Sequence, residues 1–586
     1  MECWSDRNTV TPSLIIENLE RLSEGNTPNH PVLRVTIVRS RSEQSQVHKK
    51  DLSLNTRYAH LGTRIHRISS VRRAPLSYRS TGFAIRGILE KKTKFHTLCQ
   101  RKKNRSSCWR RRFLTLGRND RSEVETDFLM TPLDSAIFAP LFTDEEVSAL
   151  FRDGALVHAL VEVEIALGRA EARLGVIPPE AAKQIAQVRA DRIDLESLTK
   201  GTLRSGFPII ALVDELRKQL GSEAAPFVHW GATTQDIMDT ACILQLRSVT
   251  ELFKNRLTEI VRDLTGQARR HRGLILAGRT HGQQALPITF GVKIAAWLAP
   301  VFHHLQRLDE ILPRLLVVQF GGAAGTLAAL GDKGFPVMQA LAEELRLGMP
   351  LMPWHAQRDA LVEFAGWLSL VTGSLGKMAQ DIILLAQTEV GEVGESAEEG
   401  RGGSSTMPQK SNPITSELII AAARTNAALL SAMHNAQIQE QERATHGWQM
   451  EWLTLPQMIL LTSGTLKHAR DLASHLQADG RTMRANIARA NDVILAEAAV
   501  FALARAMPKS KAEELVKKAC GLAVSEGKPL VDVVEELSAR EIASGSIDWQ
   551  ALAQPENYLG AANEILDRVL KMADSRFGAN EPSSYE

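Results

Sequence analysis

The chain has 586 residues, 44% of them hydrophobic and 23% charged, which is too much for one core and predicts three or four packed domains. Aromatics are scarce at 5%, and alanine and leucine crowd the second half, a composition that favours helix. The five cysteines (Cys3, Cys99, Cys108, Cys242, Cys520) are too scattered for a disulfide framework or a zinc site and predict a reducing, cytoplasmic setting, while a net charge of +3 conceals two unlike segments.

Residues 1–129 hold 26 Lys and Arg against 12 Asp and Glu, and the remainder holds 44 against 55. The first stretch shows no sustained apolar period of either 2 or 3.6. Lys91–Lys94 and the cluster Arg101, Lys102, Lys103, Arg105, Arg110, Arg111, Arg112 could meet phosphates, with Trp109 and Phe113 beside them to stack on bases. Against an organelle-targeting role stand Glu2, Asp6, Glu17 and Glu20, and no apolar run supports a secretory signal. The preferred expectation is a basic, disordered or non-native extension ahead of a start at Met130, with nucleic acid and membrane both set aside as partners.

From Met130 the texture changes. Thr143 and the acids after it predict a helix start, and residues 156–175 repeat apolar positions at helical spacing. In His229-Trp230-Gly231-Ala232-Thr233-Thr234-Gln235-Asp236, Gly231 allows a turn and two hydroxyls precede a helix; simple helix capping explains the threonines equally well. In Gly278-Arg279-Thr280-His281-Gly282-Gln283-Gln284 a loop histidine between polar neighbours is suited to proton transfer, its ordinary pKa lying near neutrality. A satisfied surface histidine would look the same.

Beyond Pro287 come long helices. Phe290, Ile294, Trp297, Val301, Leu308, Ile311 and Leu315 lie on a 3-4 repeat with His304 in the missing place, and Leu361 to Leu385 repeats the pattern. A third helix is expected from about Pro413 to Gln437, and shorter ones at 484–506, 510–524, 529–540 and 557–573. Stripes this long predict an all-α bundle with extra apolar faces to bury against other subunits. Expected divisions are 130–242, 243–479 (the bundle) and 480–586. Between the helices lie the Gly-rich piece Gln319–Gly325 and Arg443, whose fork suits a carboxylate or an ion pair with Glu440.

The most telling stretch is Gly402-Gly403-Ser404-Ser405-Thr406-Met407-Pro408-Gln409-Lys410-Ser411-Asn412-Pro413. Paired glycines, hydroxyls, a lysine and an asparagine feeding a helix can bind and polarise a small carboxylate. It resembles the signature loop of the fumarase/aspartase superfamily, G-S-S-x-M-P-x-K-x-N-P. With the segments at 229–236 and 278–287 preceding it in order, residues 130 to about 575 are identified as a member. Within the superfamily, "HWGATTQD", "GRTHGQQALPITFG", "LLVVQFGGAAGTLAALG" and "ERATHGWQMEW" resemble the branch that lactonises 3-carboxy-cis,cis-muconate.

The resemblance implies an all-α, three-domain subunit, a homotetramer with a multi-helix core, and active sites shared between subunits. It implies addition of a carboxylate across a carbon–carbon double bond, with no cofactor and no metal, in the protocatechuate branch of aromatic breakdown. By motif, Ser404 matches the acid/base serine, which needs loop amides, Lys410 and a helix dipole to stabilise its alkoxide. Lys410 and Asn412, with Ser405, match positions around the substrate carboxylate where charge develops. Thr233 and Thr234 match a carboxylate-binding Thr-Ser pair, with threonine in the second place. Thr280, His281 and Gln283 match a T-H-x-Q loop in which the histidine donates a proton or orients substrate; His229 and Arg443 match substrate contacts. Phe207, in Ser205-Gly206-Phe207-Pro208, stands where the branch tends to be polar and implies a different leaving group or a less carboxylated substrate. The alternative chemistry is an adenylosuccinate-type C–N lyase releasing fumarate; a silent structural homologue and a nucleic-acid-binding oligomer are the non-enzyme alternatives.

Overall fold

The computed structural model describes residues 131–395, 402–403 and 405–577; the extension expected at 1–129 lies outside them. Among these residues fourteen helices reach eight residues or more: α1 (Asp153–Arg173), α2 (Leu195–Ser205), α3 (Ile209–Lys218), α4 (Thr234–Arg270), α5 (Phe290–Leu315), α6 (Gly334–Leu345), α7 (Asp359–Ala386), α8 (Ile414–Ala436), α9 (Gly447–His475), α10 (Gly480–Arg489), α11 (Ala496–Leu503), α12 (Lys509–Glu526), α13 (Leu530–Ser538) and α14 (Ala562–Phe577). Strands are few: a hairpin of β1 (Ile275–Thr280) and β2 (Gln283–Thr289), and a two-residue pair, β3 (Val393–Gly394) with β4 (Gln477–Ala478). The fold is all-α.

The apolar stripes fall where their periodicity places them. Phe290, Ile294, Trp297, Val301 and Leu308 on α5, and Leu361, Phe364, Leu368, Val371 and Ile382 on α7, are buried in one core with α4 and α9. His304 takes its place in that stripe by bonding Ser374 Oγ at 2.8 Å through Nε2. Burial, and then Arg307, hold its pKa down to about 4, so it packs as a neutral ring.

Helix α4 is 37 residues long, about 55 Å at 1.5 Å per residue. It runs unbroken through residues 242 and 243. Its first turns (Ile237, Ala241, Leu244) join the core formed by α1, α3 and α6, while Leu246, Val249 and Phe253 join the bundle.

Arg358, at the start of α7, fixes which helix ends lie together. It donates to Asp239 on α4 at 2.6 and 3.1 Å and to Glu451 on α9 at 2.8 and 2.5 Å, all three side chains being buried. Trp448 Nε1 adds a bond to Asp239 at 2.9 Å. The N-terminal ends of α4, α7 and α9 therefore meet. At the opposite end β3, following α7, pairs with β4, following α9, and Glu392 takes a two-pronged bond from Arg279 of the hairpin at 2.8 and 2.6 Å.

Three local expectations change. Asp144, not Thr143, caps the first acidic helix, accepting from the amides of Glu146 and Val147, because its carboxylate reaches both orphan donors. The helix expected over 484–506 is two, α10 and α11, broken where Asn491 and Asp492 take left-handed backbone. The loop expected around His281 is the tip of a hairpin.

Candidate active site

The sequence-predicted residues divide between the two ends of the bundle. At the first end Thr233 is the N-cap of α4, and its own amide donates to Asp236 Oδ2 at 3.0 Å. Thr234 is the first helical residue, so both hydroxyls sit where unpaired amides and the helix dipole favour an anion. Arg443 Nη1 donates to Thr233 Oγ1 at 2.8 Å, placing a guanidinium over that terminus. Its expected ion pair is not formed; Glu440 instead accepts from the Thr445 amide at 2.9 Å and faces His446.

His229 lies four residues before the cap, in backbone with φ +65°, a region costly for a residue with a Cβ. Its Nδ1 is 2.7 Å from Glu164 Oε1 on α1. Burial works against its protonation, but the charge and hydrogen bond of Glu164, with Asp236 behind, carry its pKa above the ordinary histidine value. Gly231 makes the turn possible: at φ +68° its backbone suits glycine, and a Cβ would strike Leu330 at 2.9 Å.

Asp236 organises this end. Besides the Thr233 amide, it accepts from Gln319 Nε2 at 3.0 Å, the amides of Gly321 and Gly322 at 2.9 Å, and His355 Nε2 at 2.7 Å. The Gly-rich piece is thus a brace for the α4 terminus. Phe207 stacks on Trp448 at 5.5 Å and meets Trp452 at 6.0 Å, which makes it part of an aromatic cluster beside the Arg358 clamp.

At the second end, His281 and Gly282 form the two-residue tip between β1 and β2, with φ +51° and +77°, the pairing that suits the twist of a tight hairpin. Thr280, His281 and Gln283 are exposed. The signature loop lies here too, since Glu395 accepts from the amides of Thr415 and Ser416 at 3.0 and 2.7 Å and so anchors the start of α8. Gly403 and Ser411 form a bridge, and Asn412 folds back on Gly402 O through its amide (2.8 Å) and Nδ2 (3.0 Å). Ser405 and Lys410 are exposed; Ser404 lies outside the described residues.

The two ends cannot meet within one chain. Even a hairpin laid straight back along α4 recovers only about 20 Å for six residues of a helix about 55 Å long. One end has the hydroxyls, helix terminus and guanidinium that suit an anion, and the other offers a histidine, a lysine and an asparagine.

A bundle of long helices with these three loops at its ends defines a lyase of the fumarase type, and comparison with known proteins agrees. A lyase family model matches residues 141–425, and one for the adenylosuccinate lyase C-terminus matches 492–569. The chain belongs to the fumarase/aspartase superfamily. It is similar to 3-carboxy-cis,cis-muconate cycloisomerase of Pseudomonas aeruginosa, 44% identical over 74% of this chain and 95% of that protein. The crystal structure of the 3-carboxy-cis,cis-muconate lactonizing enzyme from Pseudomonas putida matches with a TM-score of 0.71 at 41% identity, covering 76% of this chain and 100% of that one. A further relative, trans-aconitate decarboxylase 1 of Mycosarcoma maydis, is 38% identical over 75% of this chain and 90% of its own length.

Motif reading missed Glu164, Asp236 as a hub, His355 and the Arg358 clamp. Asp236 had a signal, since an acid three residues after a capping threonine marks a capping box. Glu164 and His355 had none; each reaches the site across 65 and 119 residues of chain respectively.

Proposed function

We propose that the protein is an enzyme that lactonises 3-carboxy-cis,cis-muconate. The reading is carried by the likeness to 3-carboxy-cis,cis-muconate cycloisomerase over 74% of this chain and 95% of that protein, and the start of α4 with Arg443 over it supports it. Thr233, Thr234 and Arg443 would hold one substrate carboxylate, with His229 beside them. A second carboxylate oxygen adds to the alkene, and the displaced π electrons pass to the neighbouring carbon and its carboxylate. Lys410 and Asn412 would stabilise that charge. His281 or Ser404 then delivers a proton to the carbon, completing a γ-lactone without loss of any atom.

Because these groups stand at opposite ends of each chain, we infer sites built from several copies, in a homotetramer. A cytoplasmic setting fits free Cys242 and Cys520. The adenylosuccinate reading is weaker, since Arg279, a basic side chain it would need for a phosphate, is already held by Glu392.

The test is loss of the conjugated-diene absorbance when purified protein meets 3-carboxy-cis,cis-muconate, with adenylosuccinate, argininosuccinate and trans-aconitate in parallel. Rapid loss with a lactone product is expected, and Ser404→Ala should lower turnover at least about a hundredfold. An untouched diene with fumarate released from a succinyl compound, or carbon dioxide from trans-aconitate, would overturn the assignment.

A further inference from the structure

Behind the α4 terminus, α1 carries two carboxyl side chains seven residues apart on one face, Glu164 and Glu171. Both are buried. Glu164 gives one oxygen to His229 Nδ1 at 2.7 Å, and its second oxygen has no partner; neither oxygen of Glu171 has one. Two such groups on one helix, facing the interior, have no role in packing that an apolar residue would not fill better. The left-handed backbone of His229 is a second cost at the same place.

The charged groups around His229 come from three helices: Glu164 on α1, Asp236 on α4, and Arg217 on α3. Arg217 is turned to the carbonyls of Ala225 and Val228, at 3.2 and 3.5 Å, and Asp236 is saturated by its own donors. Glu164 is the one that touches the ring. Without it, burial would leave the imidazole neutral, with its proton on either nitrogen.

Resting on the reading that the start of α4 binds a substrate carboxylate, we propose that Glu164 is a positioning residue for substrate binding. It pins Nδ1–H of His229, so that the cationic ring offers Nε2–H to the carboxylate held by Thr233 and Arg443. Glu171 completes the device as a neutral carboxylic acid: burial first, then the neighbouring Glu164, push its pKa up to about 9. Glu164 is then the α1 carboxylate that touches the histidine.

The experiment follows the His229 ring by NMR in the full-length protein, through a pH titration of wild type and Glu164→Gln, beside steady-state kinetics with 3-carboxy-cis,cis-muconate. In Glu164→Gln the His229 pKa should fall by about one unit or more, and the KM at pH 7.5 should rise about tenfold with kcat changed less than threefold. The alkaline limb of kcat/KM should move to lower pH by the same amount. Glu164→Asp, which keeps the charge, should restore part of each shift, so a variant that merely fails to fold is told apart. A His229 pKa that is the same in wild type and Glu164→Gln overturns the pairing. Arg443→Ala separates the remaining outcomes. If it raises KM and Glu164→Gln does not, the positioning role is refuted alone. If neither raises KM, the carboxylate site itself is refuted and the role falls with it.

Discussion

Glu171 shows at the scale of one side chain how a buried carboxyl sets pH dependence. Its carboxyl ionises near 9 in the folded chain against an ordinary 4.5, so the folded state keeps a proton that the unfolded state has released between those values. Stability is therefore greatest below about pH 4.5 from this group and declines as pH rises toward 9, by at most about 1.4 kcal/mol per unit. Glu171→Gln keeps the shape and removes the titration. Its melting temperature should exceed that of the wild type by a margin that widens from pH 5 to 9; a margin flat with pH would show that Glu171 is not the proton holder. The cap at Thr233 was legible because it rests on local spacing, and Arg443 was singled out only through the resemblance of its segment, since its partner lies 210 residues away. Glu164, His355 and Arg358 were not, because a buried glutamate, histidine or arginine spells the same as an exposed one until a distant partner arrives.

At the scale of elements, the stripes of α5 and α7 were readable because an apolar period of 3.6 survives wherever a helix faces one core. Helix α4 was harder to read: its first two turns carry Gln235, Asp236, Asp239 and Thr240, all buried, which break the apolar stripe with polar contacts to other segments. The hairpin hid for another reason. Pro287 argues against a strand, yet it is tolerated where each strand of a two-stranded ribbon is an edge. The signature loop depends on Gly402, whose φ is +71° and whose place a Cβ would fill only 2.3 Å from Asn412 O. Gly402→Ala should strain the loop by about 1 kcal/mol or more. Turnover should fall at least tenfold, the cost of displacing positioned groups, while far-ultraviolet circular dichroism stays unchanged. Full activity in that variant would show that the loop geometry does not position the chemistry.

At the scale of the whole molecule, the separation of Thr233 and Arg443 from His281 and Lys410 leads to a mixing experiment. His281→Ala and Arg443→Ala proteins, each nearly inactive, should regain activity when dissociated together and reassembled. Random pairing leaves both contributors intact in roughly a quarter of the sites of a closed symmetric assembly. No recovery, with assembly verified by size, would refute sites shared between copies. The sequence carried the fold class through periodicity and the chemistry through three short segments, but the placement of those segments at opposite ends is a property of helix length, which no motif records.

Arg358 meets Asp239 across 119 residues and Glu451 across 93. A guanidinium shut into an apolar interior with one of its two carboxylates missing costs about 3–5 kcal/mol. A folding chain that has docked only two of α4, α7 and α9 thus gains nothing by closing that end over the charge, and water stays there until the third helix arrives. The clamp acts in time as well as space: it makes docking of the bundle a late, all-or-none event between segments far apart in the chain, the kind of step that sets the pace of folding.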